Sequence, residues 1–183
     1  MDARPRWSPA GSTVVYTPAE VSALTPIRES LERRLPQPDR RDFFLCHAWD
    51  DRRGPAKELN DLLVSLEVSV WFSENDIGLG APFLREIDKG LAKSRGGIVL
   101  VTPALIERLR AEVSSIADKE LSALLEREQL VPVVHNTTYD ALRDVSPLLA
   151  SRHGLSTAEN TMAEVAAKLA ELAAIAPDGQ RLY

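Results

Sequence analysis

Four residues with hydrogen-bonding or stacking side chains follow the apolar run FFLC at residues 43–46. They are His47, Trp49, Asp50 and Asp51, which supply an imidazole, an indole and two carboxylates. Such groups can hydrogen-bond a polar ligand and stack on a flat one. Their position directly after an apolar segment predicts a binding loop at the end of a buried strand.

A second candidate is the stretch 73–83, which contains Gly78-x-Gly80. A dinucleotide fingerprint requires a third glycine or alanine three residues after Gly80, where this chain has Phe83. The phenyl ring would obstruct the close packing of strand and helix that a third glycine permits. The pattern therefore argues against a Rossmann-type phosphate loop.

Three other site types are also disfavoured. A phospho-acceptor receiver domain has a similar order of elements, but it needs an aspartate where this chain has Thr102 after its third strand. Cys46 and His47 are neighbours in a strand, so they point to opposite faces and cannot form a nucleophile–base pair. We therefore predict that Cys46 is a core residue. The three histidines lack the spacing of a zinc site.

The elements that must position these residues alternate along the chain. Apolar runs predict four strands, at residues 43–46, 68–72, 98–101 and 130–134. Amphipathic patterns predict helices at about 56–66, 82–93, 104–111, 117–127, 139–143 and 157–174. Continuous apolar strands separated by helices are typical of a parallel sheet covered on both faces. We therefore predict an α/β, flavodoxin-like, doubly wound fold, in which ligands bind beyond the carboxyl ends of the strands.

The first 41 residues have a different character and contain six of the twelve prolines. Helix-start signals occur at Thr17–Pro18, with Glu20 three residues after the cap, and again at Thr25–Pro26. Apolar residues at 27, 31 and 35 then recur every four residues, which predicts a short helix over about 26–35. We interpret residues 1–41 as an extension whose helix either packs on the domain or forms an oligomer contact.

Composition limits the partners and the compartment. The 183 residues, 44% apolar and 27% charged, suit one globular domain with an extension. A net charge of −5 without a basic stripe argues against nucleic acid as the main partner. One cysteine, no apolar leader segment and no long apolar run favour a cytoplasmic protein without a membrane span.

Three segments together resemble a Toll/interleukin-1 receptor (TIR) domain. DFFLCH at 42–47 is similar to the opening box of the family, and VSVWFSENDIGLG at 68–80 is similar to its second strand and BB loop. GIVLVTP at 97–103 leads to the pair Lys119–Glu120, which the family commonly carries on the following helix. The resemblance covers about residues 42–175 and indicates a stand-alone bacterial member. We assign residues 42–176 to the TIR domain and residues 177–183 to a tail.

The resemblance implies either an enzyme that cleaves NAD+ or an adaptor that only assembles. In the enzymatic members the glutamate of that helix is essential, and by position it is Glu120. A helix over 117–127 would put Glu120 at the border of the apolar stripe. The carboxylate then either faces a cleft or only complements the helix start.

One carboxylate suits the chemistry of NAD+. Nicotinamide is already a cationic leaving group, so no general acid is needed to protonate it. Positive charge develops at the anomeric carbon of the ribose, and a fixed anion stabilises that transition state. Capture by water gives ADP-ribose, and capture by a hydroxyl or the adenine gives a cyclic isomer.

NAD+ binding also requires flat surfaces. Trp71 and Phe72 alternate faces, and we expect one of them to stack on a base, with Trp71 favoured. Trp49 is either a second such surface or a loop anchor. No phosphate-binding arginine is evident, and Arg52 and Arg53 are the nearest basic residues.

The polar candidates lie on the same loops. His47 and Asp50 are expected to hydrogen-bond ribose or phosphate, although Asp50 or Asp51 could instead cap the next helix. Ser73 and Asp76 belong to the loop expected to gate the cleft, though Asp76 could simply shape its turn.

Partners follow from the resemblance. NAD+ is expected as the substrate, and no cofactor or metal is expected. Activation by self-association is implied through the BB loop, whose residues are Asp76, Ile77, Gly78 and Gly80. A second TIR protein is the partner under the adaptor hypothesis, and a nucleotide sensor that does not consume its ligand is a third hypothesis. The implied biological role is antiphage defence or an effector function toward host cells.

Overall fold

The computed structural model describes residues 4–34, 39–72, 83–112 and 129–174. Its centre is a five-stranded parallel sheet with the strand order β2-β1-β3-β4-β5. The strands are β1 (Arg41–Cys46), β2 (Val70–Trp71), β3 (Ser94–Val101), β4 (Leu130–Val134) and β5 (Leu155–Ser156). This order is that of flavodoxin-like folds, which confirms the predicted fold class.

Helices cover both faces of the sheet. They are α1 (Pro18–Arg33), α2 (Pro55–Ser65), α3 (Phe83–Ala92), α4 (Pro103–Glu112), α5 (Tyr139–Val145), α6 (Pro147–Ala150) and α7 (Met162–Ala173). Successive strand residues point to opposite sides, so Phe43 and Leu45 pack under α1, α2 and α7, whereas Phe44 and Cys46 pack under α3 to α6. Cys46 is buried, as predicted. Among the described helices, none combines the length and apolarity that a membrane span requires.

The N-terminal helix is longer than predicted. It begins at Pro18, where Thr17 and Glu20 form a capping box with hydrogen bonds of 3.1 and 2.8 Å. The predicted start near residue 26 is wrong, because Pro26 lies inside the helix. Pro26 has no N–H for a helical hydrogen bond, but apolar side chains on both sides of it are buried. These are Leu24, Ile27 and Leu31.

Buried charges join α1 to the rest of the domain. Lys168 Nζ lies 2.8 and 2.9 Å from the two carboxylate oxygens of Glu20 and 2.7 Å from Asn160 Oδ1. All three side chains are buried. The guanidinium of Arg95 donates to main-chain carbonyls at the ends of both α1 and α7, which satisfies groups that a helix leaves unpaired. The helix therefore packs on the domain, the first of its two predicted alternatives.

The C-terminal part requires two corrections. The last helix begins at Met162, after a capping box of Thr161 and Glu164, and not at Thr157. Thr157 instead extends the edge of the sheet, where its N–H donates to Val134 O at 3.0 Å. β5 and α6 were not predicted, because two strand residues and four helical residues carry too little periodicity.

Candidate functional site

The carboxyl ends of the parallel strands meet at one edge of the sheet. His47 follows β1, Phe72 follows β2, Thr102 follows β3 and His135 follows β4. We call this edge, together with the 3₁₀ turn Trp49–Asp51, the strand-tip rim. At this rim, the candidate site residues that follow β1 and β2 lie on the same edge of the sheet as the ends of β3 and β4.

His47 lies beneath the surface of the rim. Its side chain is 0% exposed, and Nδ1 lies 2.8 Å from Ala48 O. The imidazole and the Phe72 ring have centroids 5.1 Å apart and planes inclined by 42°. Phe72 itself is half-buried. The two rings therefore form an aromatic contact between the tips of β1 and β2, in which His47 is the fully buried residue.

Trp71 and Phe72 lie on opposite sides of the sheet. Trp71 packs against the cluster under α3 to α6, and Phe72 packs against the cluster under α1, α2 and α7. The ammonium of Lys93 lies 5.7 Å from the centroid of the Trp71 ring. Of the two aromatic residues, Phe72 is the one that contacts His47.

The turn after β1 places an arginine over a tryptophan. Arg52 Cζ lies 3.8 Å from the centroid of the Trp49 ring, and Nη1 donates to Trp49 O at 2.8 Å. Both residues are half-buried. One face of the indole is therefore covered by a guanidinium, which leaves at most its other face for a ligand.

The two carboxylates of the turn have different environments. Asp50 is exposed, whereas Asp51 is only 9% exposed and accepts a hydrogen bond from Thr102 Oγ1. Neither caps α2, whose N-cap is Gly54 without a side-chain cap, so the capping alternative is wrong. Because Thr102 Oγ1 also accepts from the Leu105 N–H at 3.2 Å, Asp51 is tied to the start of α4.

Thr102 and His135 also lie at the rim, although neither was among the predicted site residues. His135 donates its N–H to Val101 O at 2.8 Å, and its Nδ1 lies 2.9 Å from Thr157 Oγ1. Each residue directly follows an apolar run that was predicted as a strand. The rule that placed His47 at the rim therefore applies to them equally and would have found them.

Part of the predicted site lies outside the described residues. This holds for Glu120 with its predicted helix 117–127, and for Ser73 and Asp76. The remaining BB-loop residues, Ile77, Gly78 and Gly80, lie outside as well.

The described rim offers three kinds of contact. Phe72 supplies a half-buried ring, Asp50 an exposed carboxylate and Arg52 a fixed guanidinium. Such a set can bind a molecule that combines a flat ring, hydroxyl groups and an anionic group.

A family model described as the TIR domain matches residues 43–172. The match begins within β1 and ends within α7, so it includes part of β1, the other four strands and the strand-tip rim.

Three curated relatives are similar to the chain. The 2′ cyclic ADP-D-ribose synthase BtTIR of Bacteroides thetaiotaomicron is 28% identical over 75% of this chain and 48% of its own. The 2′ cyclic ADP-D-ribose synthase AbTIR of Acinetobacter baumannii is 29% identical over 72% of this chain and 48% of its own. The NAD(+) hydrolase TcpA of a Theionarchaea archaeon is 33% identical over 63% of this chain and 35% of its own. The chain thus spans about half, or less, of the length of these relatives.

Among solved structures, a metazoan TIR-STING receptor from C. gigas in complex with 2′,3′-cGAMP is similar in fold. The TM-score is 0.51 at 18% sequence identity, and the match covers 74% of this chain and 41% of the receptor chain.

Proposed function

The chain belongs to the TIR domain family, and we propose that it breaks the bond between nicotinamide and ribose in NAD+ by hydrolysis or cyclisation. The observation that carries the proposal is its similarity, over 72–75% of its length, to relatives named 2′ cyclic ADP-D-ribose synthases. A relative named as an NAD(+) hydrolase supports it further. ADP-ribose and its cyclic isomer both arise after the same bond is broken, so one site accounts for both names.

Glu120 is the proposed catalytic residue. The departing nicotinamide takes the bonding electron pair and leaves as a neutral pyridine, so the reaction needs no proton donor. The ribose becomes positively charged at its anomeric carbon, and the Glu120 carboxylate would stabilise that charge more strongly than it stabilises bound NAD+. Water then attacks the anomeric carbon and releases a proton to solvent to give ADP-ribose, or a hydroxyl of the same molecule does so to give the cyclic product.

The strand-tip rim is the proposed substrate surface. Phe72, whose ring centroid lies 5.1 Å from that of His47, provides an aromatic face. Asp50 provides an exposed acceptor for ribose hydroxyls. Ser73 and Asp76 are proposed to contact NAD+ from the loop after β2. Trp71 remains the alternative stacking residue.

Self-association through Asp76, Ile77, Gly78 and Gly80 is the proposed control of activity. If neighbouring copies complete each other's sites, turnover per molecule rises with protein concentration. We also propose a cytoplasmic role in defence or as an effector, since NAD+ is an intracellular metabolite.

Chromatography of NAD+ products tests the proposed function. The wild-type protein, at high concentration or clustered on beads, should release nicotinamide together with ADP-ribose or a cyclic isomer. Glu120→Gln should reduce the rate by at least about 100-fold, the scale of one electrostatic catalytic group. An equal rate in the variant refutes the assignment of Glu120. If the clustered wild-type protein shows no turnover but binds another TIR protein, the results support the adaptor function instead.

A further inference from the structure

Arg52 is held at the strand-tip rim by two contacts with Trp49. The guanidinium carbon lies 3.8 Å from the centroid of the indole, and Nη1 donates to the Trp49 carbonyl at 2.8 Å. Together the contact with the indole and the hydrogen bond restrict the orientation of the guanidinium. A free arginine side chain has many rotamers, so these contacts pre-organise Arg52 before a ligand binds.

Within the part of the chain that the structure describes, the Arg52 side chain donates one hydrogen bond, so most of its donors remain available. The five N–H groups of a guanidinium lie in its plane, and the guanidinium carbon of Arg52 lies over the Trp49 ring. The Trp49 carbonyl uses one of these groups. The others keep the fork geometry that matches two oxygens of one phosphate.

Arg52 also differs from the ion-paired arginines in its charge environment. Among the described residues, five arginines lie within 3.1 Å of a carboxylate oxygen: Arg6, Arg28, Arg95, Arg110 and Arg143. Arg52 forms no ion pair with any residue that the structure describes, although Asp50 and Asp51 directly precede it. Asp51 hydrogen-bonds Thr102 instead. A half-buried cation of this kind, in a chain with a net charge of −5, is a point to which an anionic ligand can bind.

We propose that Arg52 binds the pyrophosphate of NAD+ and that Trp49 is the positioning residue for its guanidinium. The identity of the ligand rests on the proposed function. NAD+ carries its negative charge on the pyrophosphate, whereas the bond that breaks lies at the nicotinamide ribose. Arg52 therefore stabilises bound NAD+ and the transition state equally, so it lowers KM without changing kcat.

Steady-state release of nicotinamide tests this assignment with two substrates. NAD+ contains the pyrophosphate, and nicotinamide riboside has the same reacting bond but no phosphate. Arg52→Gln should raise the KM for NAD+ about 10- to 100-fold, the range for lost charge-assisted hydrogen bonds. Its kcat should change by less than about threefold, and kcat/KM for the riboside should stay within about twofold.

Matched variants distinguish an effect of the position of the Arg52 guanidinium from a general effect of losing one positive charge. Arg53→Gln removes the same charge from the adjacent, exposed residue and should leave the KM within about twofold of wild type. Trp49→Leu should raise the KM for NAD+ about three- to tenfold because it frees the guanidinium. Trp49→Phe should raise the KM less than Trp49→Leu does, because a ring still contacts the guanidinium. The KM of Arg52→Lys for NAD+ should lie between those of wild type and Arg52→Gln, since an ammonium keeps the charge but lacks the forked pair of donors.

Three results would overturn the proposal: an unchanged KM in Arg52→Gln, an equal effect of Arg53→Gln, or an equal loss with nicotinamide riboside. Calorimetry with ADP-ribose needs no turnover and distinguishes this proposal from the proposed function. If wild type binds ADP-ribose at least about tenfold more tightly than Arg52→Gln but releases no nicotinamide, Arg52 is the anion site and the enzymatic function fails. If nicotinamide is released and both proteins bind ADP-ribose equally, the function stands and the Arg52 site fails.

Discussion

The carboxylate of Asp51 accepts a hydrogen bond from the hydroxyl of Thr102 across the strand-tip rim. Asp51 lies in the loop after β1, and Thr102 lies between β3 and α4, so the bond joins two loops that are 51 residues apart. Thr102 Oγ1 in turn accepts from the Leu105 N–H at 3.2 Å. This buried hydrogen bond therefore links the turn that carries Trp49 and Arg52 to the start of α4.

Thr102→Val should destabilise the protein. The valine has the shape of threonine but leaves the buried Asp51 carboxylate without its donor and α4 without its cap. We expect the free energy of unfolding to fall by about 2–3 kcal/mol. Thr102→Ser keeps the hydroxyl and should cost less than about 1 kcal/mol. Urea unfolding measures both, and equal losses in the two variants would contradict the role of the hydroxyl.

Local sequence was sufficient for the elements whose signals are unambiguous. β4 was predicted at residues 130–134 and has those bounds, because its apolar run ends sharply on both sides. α1 was predicted too short because Thr17–Pro18 and Thr25–Pro26 both resemble helix starts. Only the burial of α1 against the domain decides between them, and that burial depends on distant residues.

The site was predictable in position but not in its contacts. The rule for parallel sheets placed His47 and Phe72 at one edge from the order of elements alone. The bond from Thr102 to Asp51 requires knowledge of which loops meet. The stacking of Arg52 on Trp49 depends on side-chain rotamers, which spacing does not specify.

Lys168→Met should be one of the most destabilising single changes in the domain. It would leave the buried Glu20 carboxylate without its cation, at an expected cost of about 3–5 kcal/mol. Glu20→Gln with Lys168→Met removes both charges and should cost less than Lys168→Met alone. A double-mutant cycle by urea unfolding measures the coupling. If the two losses simply add, the pair is not an interacting unit.

The stability that Glu20 contributes should disappear in acid. Burial alone would raise the pKa of Glu20, but hydrogen bonds from Lys168, the Thr17 N–H and Asn160 outweigh it and hold the pKa below its usual value of 4.5. Because the folded-state pKa is the lower one, the contribution is complete well above pH 4.5 and is lost as the pH falls through the folded-state pKa.

Glu20→Gln isolates this effect, since the other carboxylates titrate in both proteins. The difference in unfolding free energy between wild type and variant should be constant near neutral pH and shrink below about pH 4.5. Urea unfolding between about pH 7 and pH 3 measures it. A difference that persists unchanged at the acidic end would contradict a lowered pKa.

Phe72→Ala and Trp71→Ala distinguish the two candidate stacking residues. Phe72 lies beside His47 at the tips of β1 and β2, whereas Trp71 packs on the opposite face of the sheet. We therefore expect Phe72→Ala to lower kcat/KM for NAD+ by about five- to tenfold, the scale of one aromatic contact. Trp71→Ala should stay within about twofold of wild type once the folded fraction is matched by urea unfolding. Phe72→Tyr keeps the ring and serves as the control. A greater loss in Trp71→Ala would assign the stacking surface to Trp71, the residue that the sequence analysis favoured.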